Sequence, residues 1–251
     1  MQKTVVCLKW GRGVYDAEYV NRLYRAVARH LRPPFSFVCF TDDAEGLEPS
    51  VEARDIETLT FAPELSDIWW KLAVMHPDAN LSGRCLFLDL DNIITGDLNC
   101  FFDYAEAEKR FCVIYNWINW RKLIFRARPK IFNSSVFCFE AGAYPQAAEL
   151  FMKDTATAKN RAMFSTEQAF MTHAIGVQNA TWWPHEWVRS YKYHSRPPFP
   201  LNWIKTPTIP RGAKILCLTG YPKPHEAIAE GDKRGGHRRT LPMPELKKYW
   251  F

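Results

Sequence analysis

The sequence contains no Cys-X-X-Cys pair, and none of its seven cysteines stands at zinc-ligand spacing from a histidine. That argues against a structural zinc module. The cysteines (Cys7, Cys39, Cys85, Cys100, Cys112, Cys138 and Cys217) lie mostly inside apolar runs. A thiol there acts as a small hydrophobe, so the chain reads as a reduced, cytoplasmic protein with buried thiols. No apolar run approaches the ~18 residues that a membrane-spanning helix needs. Met1 to Trp10 lacks the apolar core of a signal peptide, so no secretory leader is expected. There is no helix-turn-helix or zinc finger, and no nucleic-acid partner is expected despite a net charge of +6. Internal repeats and low-complexity blocks are absent as well.

What is present fits one large α/β domain. The 251 residues suffice for a sizeable core, and the 47% hydrophobic content is ordinary for a globular chain. The aromatic content, 15% with ten tryptophans, is high. Flat rings suit sugar faces, although most tryptophans in any chain belong to the core. The positive charge suits a diphosphate ligand or anionic lipid headgroups. Residues 1–230 read as the domain and 231–251 as a basic tail carrying Lys233, Arg234, Arg238, Arg239, Lys247 and Lys248. With Tyr249, Trp250 and Phe251 beside them, these charges suggest a peripheral contact with a membrane surface or else a solvated terminus.

Along the first half, strand and helix alternate. Thr4–Leu8 reads as a buried strand, and Asp16 as the cap of a helix with Val20, Leu23, Tyr24, Val27 and Leu31 at helical spacing. Phe35–Phe40 and Val51–Ile56 read as strands, Ser66–Met75 as a helix and Cys85–Leu88 as a strand. This alternation predicts an α/β fold with a mainly parallel sheet covered by helices, whose ligands bind beyond the carboxyl ends of the strands. Lys9-Trp10, Thr41-Asp42 and Asp89–Asp91 all fall at such ends. In the second half, Phe111–Tyr115, Ile131–Phe139 and Ala213–Leu218 read as strands, and Tyr144–Met152 and Ser165–Ile175 as helices.

Asp89-Leu90-Asp91 at the end of an apolar strand is the most informative stretch. Mg²⁺ and Mn²⁺ prefer hard oxygen ligands and are often held by one or two carboxylates plus substrate phosphates. A diphosphate beside two carboxylates needs a cation between them. An isolated Asp-X-Asp is more often a turn. The same residues also loosely match the first motif of haloacid-dehalogenase-type phosphatases. That motif has Gly-Thr where this chain has Asn92-Ile93, and it opens its domain, whereas 88 residues precede Asp89.

Five blocks in one order resemble glycosyltransferase family 8 and related bacterial transferases. They are Trp70-Lys71-Leu72, Leu88-Asp89-Leu90-Asp91, Phe132-Asn133-Ser134-Ser135-Val136, Glu167-Gln168 and Gly220-Tyr-Pro-Lys223-Pro224-His225. The resemblance implies a GT-A fold, a Mn²⁺- or Mg²⁺-bound UDP-sugar donor and retaining transfer to a glycan or glycolipid acceptor. It places Lys9, Trp10 and Tyr15 at the nucleotide and Lys71 at the diphosphate or donor sugar. Asp89 and Asp91 fall on the metal and Asn133 on the donor sugar. Glu167 and Gln168 would flank the reacting carbon, and Gly220 and Lys223 the leaving phosphate. The family's metal-binding histidine, three residues before the Gly of the last block, is replaced by Cys217, a soft ligand that suits these cations poorly. His225 is the expected substitute. With that histidine absent, a nucleotide-sugar-binding protein without turnover is the alternative. Blander readings stand beside several assignments. Ser165-Thr-Glu-Gln168 fits a capping box, Asn133 fits a strand end, and Lys71 beside Trp69 and Trp70 fits a solvated face. The aromatic stretch Trp182–Trp203 is the expected acceptor region.

Overall fold

A computed structural model of the chain describes residues 1–11, 13–59, 67–117 and 130–251. Its elements in chain order are β1 (Lys3–Lys9), α1 (Ala17–His30), β2 (Ser36–Thr41), β3 (Glu52–Asp55), α2 (Trp70–Ala73), β4 (Arg84–Leu88), β5 (Asn92–Ile94), α3 (Asn99–Glu108), β6 (Phe111–Tyr115), β7 (Phe132–Glu140), α4 (Gln146–Lys153), α5 (Thr155–Ala158), α6 (Glu167–Ile175), β8 (Ala180–Trp182), β9 (Val188–Ser190), β10 (Ile215–Cys217) and α7 (Pro224–Ala229). Short 3-10 turns link several of them. Residues Met1–Asn21, Pro33–Leu90 and Asn99–Trp183 form one compact unit, and Arg22–Arg32, Asp91–Leu98 and Pro184–Phe251 a second. The chain crosses between them five times, once between Leu90 and Asp91.

The first unit is built on a seven-stranded sheet of order β3-β2-β1-β4-β7-β6-β8. β1 pairs in parallel with β2 and β4, β2 with β3, and β6 with β8. Only β7 runs against its neighbours, β4 and β6. The expected mainly parallel sheet is therefore present. Its central strands are buried along both faces, because helices cover a parallel sheet on each side. Alternate residues Val6, Leu8, Val38, Phe40, Phe87, Val113, Phe137 and Phe139 share one core cluster with Leu72, Phe151, Phe170 and Met171. Phe87 stacks on Phe137 at 4.6 Å. Burying such a ring stabilises by about 1.5–3 kcal/mol, and Phe87→Ala would cost about 3–5 kcal/mol. α3 packs on β4, β6 and β7. The edge strand β3 is polar, with Arg54 on Glu52 at 2.7 Å, which discourages pairing with another chain.

Where the sequence suggests one helix over Ser66–Met75, the structure has a 3-10 turn at Asp67–Trp69 and the single α-turn α2; Ser66 lies outside the described residues. Asp67 sits in the left-handed region (φ 51°) and Pro77 lies just beyond, so there is room for little more. α6 is capped by Thr166, whose Oγ1 accepts from the Ala169 N–H, and not by Ser165. Thr166 has the extended backbone that a cap requires.

The second unit holds a three-stranded sheet of order β5-β10-β9, with Cys217 opposite Asn92 on one side and Ser190 on the other. Residues 231–251 fold against this unit. Met243, Leu246 and Trp250 are buried, and the Met243 N–H donates to the Ala227 carbonyl. Gly231 turns the chain with φ +74°, and a Cβ there would meet the Thr240 carbonyl oxygen at 2.3 Å. Thr240 Oγ1 bonds the Tyr191 hydroxyl and accepts from the Asp232 N–H, both at 2.8 Å. The guanidinium of Arg29 lies 3.6 Å over the Phe251 ring. Trp250 and Phe251 are thus engaged within the unit.

All seven cysteines are free, and six are buried, one on each of β1, β2, β4, β6, β7 and β10. Cys100 is half-buried. Burial pushes the thiols of Cys85 and Cys112 up to about 12. Among the described residues, no helix is long and apolar enough to cross a membrane.

Candidate functional site

The parallel register of the first unit sets Lys9 beside Thr41 at the carboxyl ends of β1 and β2. Lys9 is buried, and its ammonium donates to Thr41 Oγ1 (3.3 Å) and to the Asp43 carbonyl (2.9 Å). The Gly11 N–H donates to Asp42 Oδ2 at 2.7 Å, tying the two strand-end loops together. Trp10 packs against the core cluster, and Tyr15 meets the edge of Tyr19 at 5.1 Å. Lys9, Trp10 and the Thr41–Asp43 loop therefore share one strand-end corner. Thr41 and Asp42, which the sequence already puts at a strand end, thus meet Lys9 and Gly11, and Asp43 is added by the contact.

Asp89 follows β4 directly, and its N–H extends the ladder by donating to the Ser135 carbonyl at 3.0 Å. A line of polar groups starts at its carboxylate. Lys71 Nζ lies 2.6 Å from Asp89 Oδ1, and 3.4 and 3.5 Å from the carbonyl and Oγ of Ser134. Ser134 Oγ in turn donates to Glu167 Oε1 at 2.9 Å. Lys71, Ser134 and Glu167 are buried, so each interaction is little screened by water. Lys71 is therefore not a solvated-face residue; its ammonium also lies 5.4 Å over the Phe87 ring. Glu167 is the first residue of the nine-residue α6, where the helix dipole favours a carboxylate. Asn133 is buried and its Oδ1 accepts from the Ser135 N–H, a strand-end role like the one its sequence context allows. Gln168 follows Glu167 on α6 and is half-buried; its carbonyl accepts from Thr172 Oγ1 at 2.6 Å. Ser134 is the member of this line that sequence reasoning passes over, although it lies inside one of the quoted blocks. Along α6 runs an open groove of about 630 Å³, lined among others by Arg161, Met163, Phe164, Ser165 and His173.

In the second unit, Asp91 is buried, with Oδ2 3.7 Å from Lys223 Nζ, and its carbonyl accepts from the Leu218 N–H. Lys223 precedes α7 and is itself buried; the Glu226 carboxylate holds its N–H at 2.7 Å. Gly220 opens this turn at φ +80°. The structure therefore brings Asp91, Gly220 and Lys223 to one sheet end. His225 is exposed on α7. Cys217 is fully buried on β10. Among the described residues, no group of three His, Cys, Asp or Glu side chains converges as a protein-only metal cage would. Two carboxylates nevertheless suit a hard cation that takes its other ligands from a bound diphosphate.

The aromatic stretch Trp182–Trp203 is divided between the two units. Trp183 is buried with its Nε1 donating to the Val136 carbonyl, and Trp182 packs on Phe132. Phe199, Trp203 and Ile204 are exposed in the second unit.

No protein-family model matches the sequence, and no curated protein matches it. Solved structures match its fold. A galactosyltransferase, LgtC, in complex with donor and acceptor sugar analogues, superposes with a TM-score of 0.61 at 11% identity, over 98% of this chain and 94% of that one. The apo form of mouse xyloside xylosyltransferase 1 gives 0.55 at 12% identity, over 87% and 98%. The glycosyltransferase GlyE of Streptococcus pneumoniae TIGR4 gives 0.59 at 12%, over 99% of this chain and 60% of that one. The mainly parallel seven-stranded sheet and its flanking helices are thus those of the GT-A glycosyltransferase fold.

Proposed function

We propose that the chain is a glycosyltransferase that moves a sugar from a nucleoside diphosphate, UDP in the first instance, to a glycan or glycolipid acceptor. The observation that carries this reading is the line Asp89–Lys71–Ser134–Glu167 at the carboxyl end of β4, the end at which α/β sheets bind ligands. It joins an acidic strand end to a buried carboxylate through a lysine and a hydroxyl. The order of the five sequence blocks supports the same reading and, with it, retention at the anomeric carbon.

In this proposal Asp89 and Asp91, one residue apart in sequence, hold Mn²⁺ or Mg²⁺, which would supply Lewis-acid stabilisation of the leaving diphosphate. Lys71 orients Asp89 and adds a fixed positive charge. Lys9, Trp10 and Tyr15 bind the nucleoside. Asn133 fixes the donor sugar, and Gln168 faces the reacting carbon. Ser134 fixes the orientation of Glu167, whose carboxylate stabilises positive charge at the reacting carbon. Lys223 neutralises charge on the phosphate as the glycosidic bond breaks, a role suited to a compact ammonium. We assign the acceptor to the groove along α6, which borders Ser165 two residues before Glu167. His225, exposed as it is, has the weakest claim to a ligand role.

The test is thermal melting against UDP, GDP, CDP and dTDP, each with Mn²⁺ and with EDTA. A ligand at a hundred times its Kd stabilises by about 2.7 kcal/mol, a shift of several degrees. The expected result is an upshift that is largest with one nucleotide, that Mn²⁺ strengthens and that Asp91→Ala cuts back to its level in EDTA. No shift with any of the four would remove the transferase reading. Binding without slow donor hydrolysis would favour the non-catalytic alternative.

A further inference from the structure

Residue 192 belongs to none of the sequence blocks, yet its ammonium lies against the turn that carries Lys223. Gly220 has no side chain, and a Cβ built on it would sit 3.1 Å from Lys192 Nζ. The backbone beside it is well anchored. Lys192 follows Tyr191, a fully buried ring whose hydroxyl bonds Thr240, and β9, which pairs with β10. Beyond α7, Arg234 grips Asp232 with two bonds, Nε to Oδ1 at 2.9 Å and Nη2 to Oδ2 at 2.7 Å. Its Nη2 also donates to the Tyr221 carbonyl at 2.8 Å. The Tyr221 ring has Lys223 Nζ at 5.9 Å and the Arg234 guanidinium at 5.6 Å. Arg196 lies close enough to act electrostatically on Lys192.

Four cations, Lys192, Arg196, Lys223 and Arg234, thus gather with three carboxylates, Asp91, Glu226 and Asp232. The surplus is positive and half-buried, where like charges are costly. Lys192 shows it: burial, then Arg234 and Arg196, lower its pKa, against the opposing pull of Asp91 and Asp232. A bound anion relieves that repulsion. The strand leading into this turn carries Cys217 where the family resemblance places a histidine, and a thiol is a poor ligand for Mn²⁺ or Mg²⁺. A fixed protein cation can stabilise a phosphate charge where metal ligation is reduced.

We infer that Lys192, supported by Arg196 and Arg234, completes with Lys223 a diphosphate cradle over Gly220 that holds the anion even without a metal ion. This rests on the glycosyltransferase reading for the identity of the diphosphate but not for the existence of the anion site. Recognition by the cradle is electrostatic and reads the diphosphate, so it leaves the choice of base to residues elsewhere.

The experiment is calorimetric binding of inorganic pyrophosphate and of UDP, each in EDTA and in Mn²⁺. It uses wild type, Lys192→Met, Lys192→Arg and the exposed-lysine control Lys205→Met. The expected result is pyrophosphate binding in EDTA that Lys192→Met weakens by about ten- to a hundredfold, the loss of one charge-assisted bond. Lys192→Arg should keep most of the affinity, and Lys205→Met should match wild type. Melting without ligand confirms folding; relief of like-charge repulsion should leave Lys192→Met at least as stable as wild type. If Lys192→Met does not fold, the Lys192→Arg affinity and a steep loss of wild-type pyrophosphate binding with salt carry the test. Pyrophosphate binding that depends on Lys192, together with no UDP binding, would uphold the cradle and sink the donor reading. UDP binding unchanged in Lys192→Met would uphold the donor reading and overturn the cradle. Absence of pyrophosphate binding in wild type would overturn it as well.

Discussion

Replacing either end of the Lys71–Asp89 pair should have unequal consequences. The ammonium and carboxylate lie 2.6 Å apart, with side-chain exposures of 8% for Lys71 and 21% for Asp89. Asp89→Asn removes the negative charge and leaves the more buried ammonium with its longer contacts to Ser134. Breaking a buried pair in this way costs about 3–5 kcal/mol, and the partial exposure of Asp89 favours the lower end. Lys71→Met leaves a carboxylate that water can reach, while the new side chain still packs over Phe87; that should cost only about 1 kcal/mol. For a chain of 251 residues, each kcal/mol moves Tm by about 2–4 °C, so the two variants should melt about 6–12 °C and about 2–4 °C below wild type. The double variant should be more stable than Asp89→Asn alone, because the uncompensated charge is gone. Urea denaturation of all four proteins, with m-values compared to check that unfolding stays two-state, gives the coupling. Equal losses in the two single variants, or a double variant no better than the sum, would refute the assignment of Lys71 as a buried partner of Asp89.

Ser134→Ala removes the hydroxyl that donates to Glu167, so donor turnover should fall about ten- to a hundredfold with nucleotide affinity nearly unchanged, as steady-state kinetics would show. Gly231→Ala places a Cβ against the Thr240 carbonyl at positive φ and should cost about 1–3 kcal/mol or more, read as a lower urea midpoint. His194 accepts from the Ser190 N–H, and its pKa is lowered to about 4, first by burial and then by Arg189 and His185. Below the usual imidazole pKa of about 6.5, the unfolded chain binds the proton that folded His194 refuses. Stability from this group is therefore complete above about pH 6.5 and lost as pH falls towards 4. His194→Asn should flatten that slope in urea midpoints measured from pH 7 to pH 4.5; an unchanged slope would remove His194 as its cause.

The sheet was legible because its strands are continuous apolar runs closed by polar residues, as in Cys85–Leu88 before Asp89. What escaped depends on partners far along the chain. β5 is three residues long and exists through its antiparallel pairing with β10, more than a hundred residues away. α3 begins Asn-Cys-Phe-Phe and buries Asn99, Phe101, Phe102 and Ala105, a spacing too mixed to declare a helix by period. The cap of α6 fell one residue from its expected place, since Ser165 and Thr166 are chemically equivalent caps and the backbone alone chooses. In the site, Asp89, Asp91, Lys71 and Lys223 could be named from blocks of sequence, but their pairing could not. Ser134 was hidden because small hydroxyls are common, and Lys192 because only the fold sets it against Gly220. His225 lay in a promising block, and helix geometry turned it towards solvent.

The distribution of thiols gives this molecule a way of reporting its own motions. Six strands each carry one buried cysteine that reagents in water do not reach while its strand stays shut; on β4 and β6, where burial pushes the thiol up to about 12, only about one part in ten thousand is ionised at pH 8 as well. Brief exposure to an alkylating reagent should mark Cys100 first; any other mark records a moment when that strand opened. Digestion and mass measurement would then rank β1, β2, β4, β6, β7 and β10 by how often each comes apart, a strand-by-strand clock of breathing that needs no engineered label.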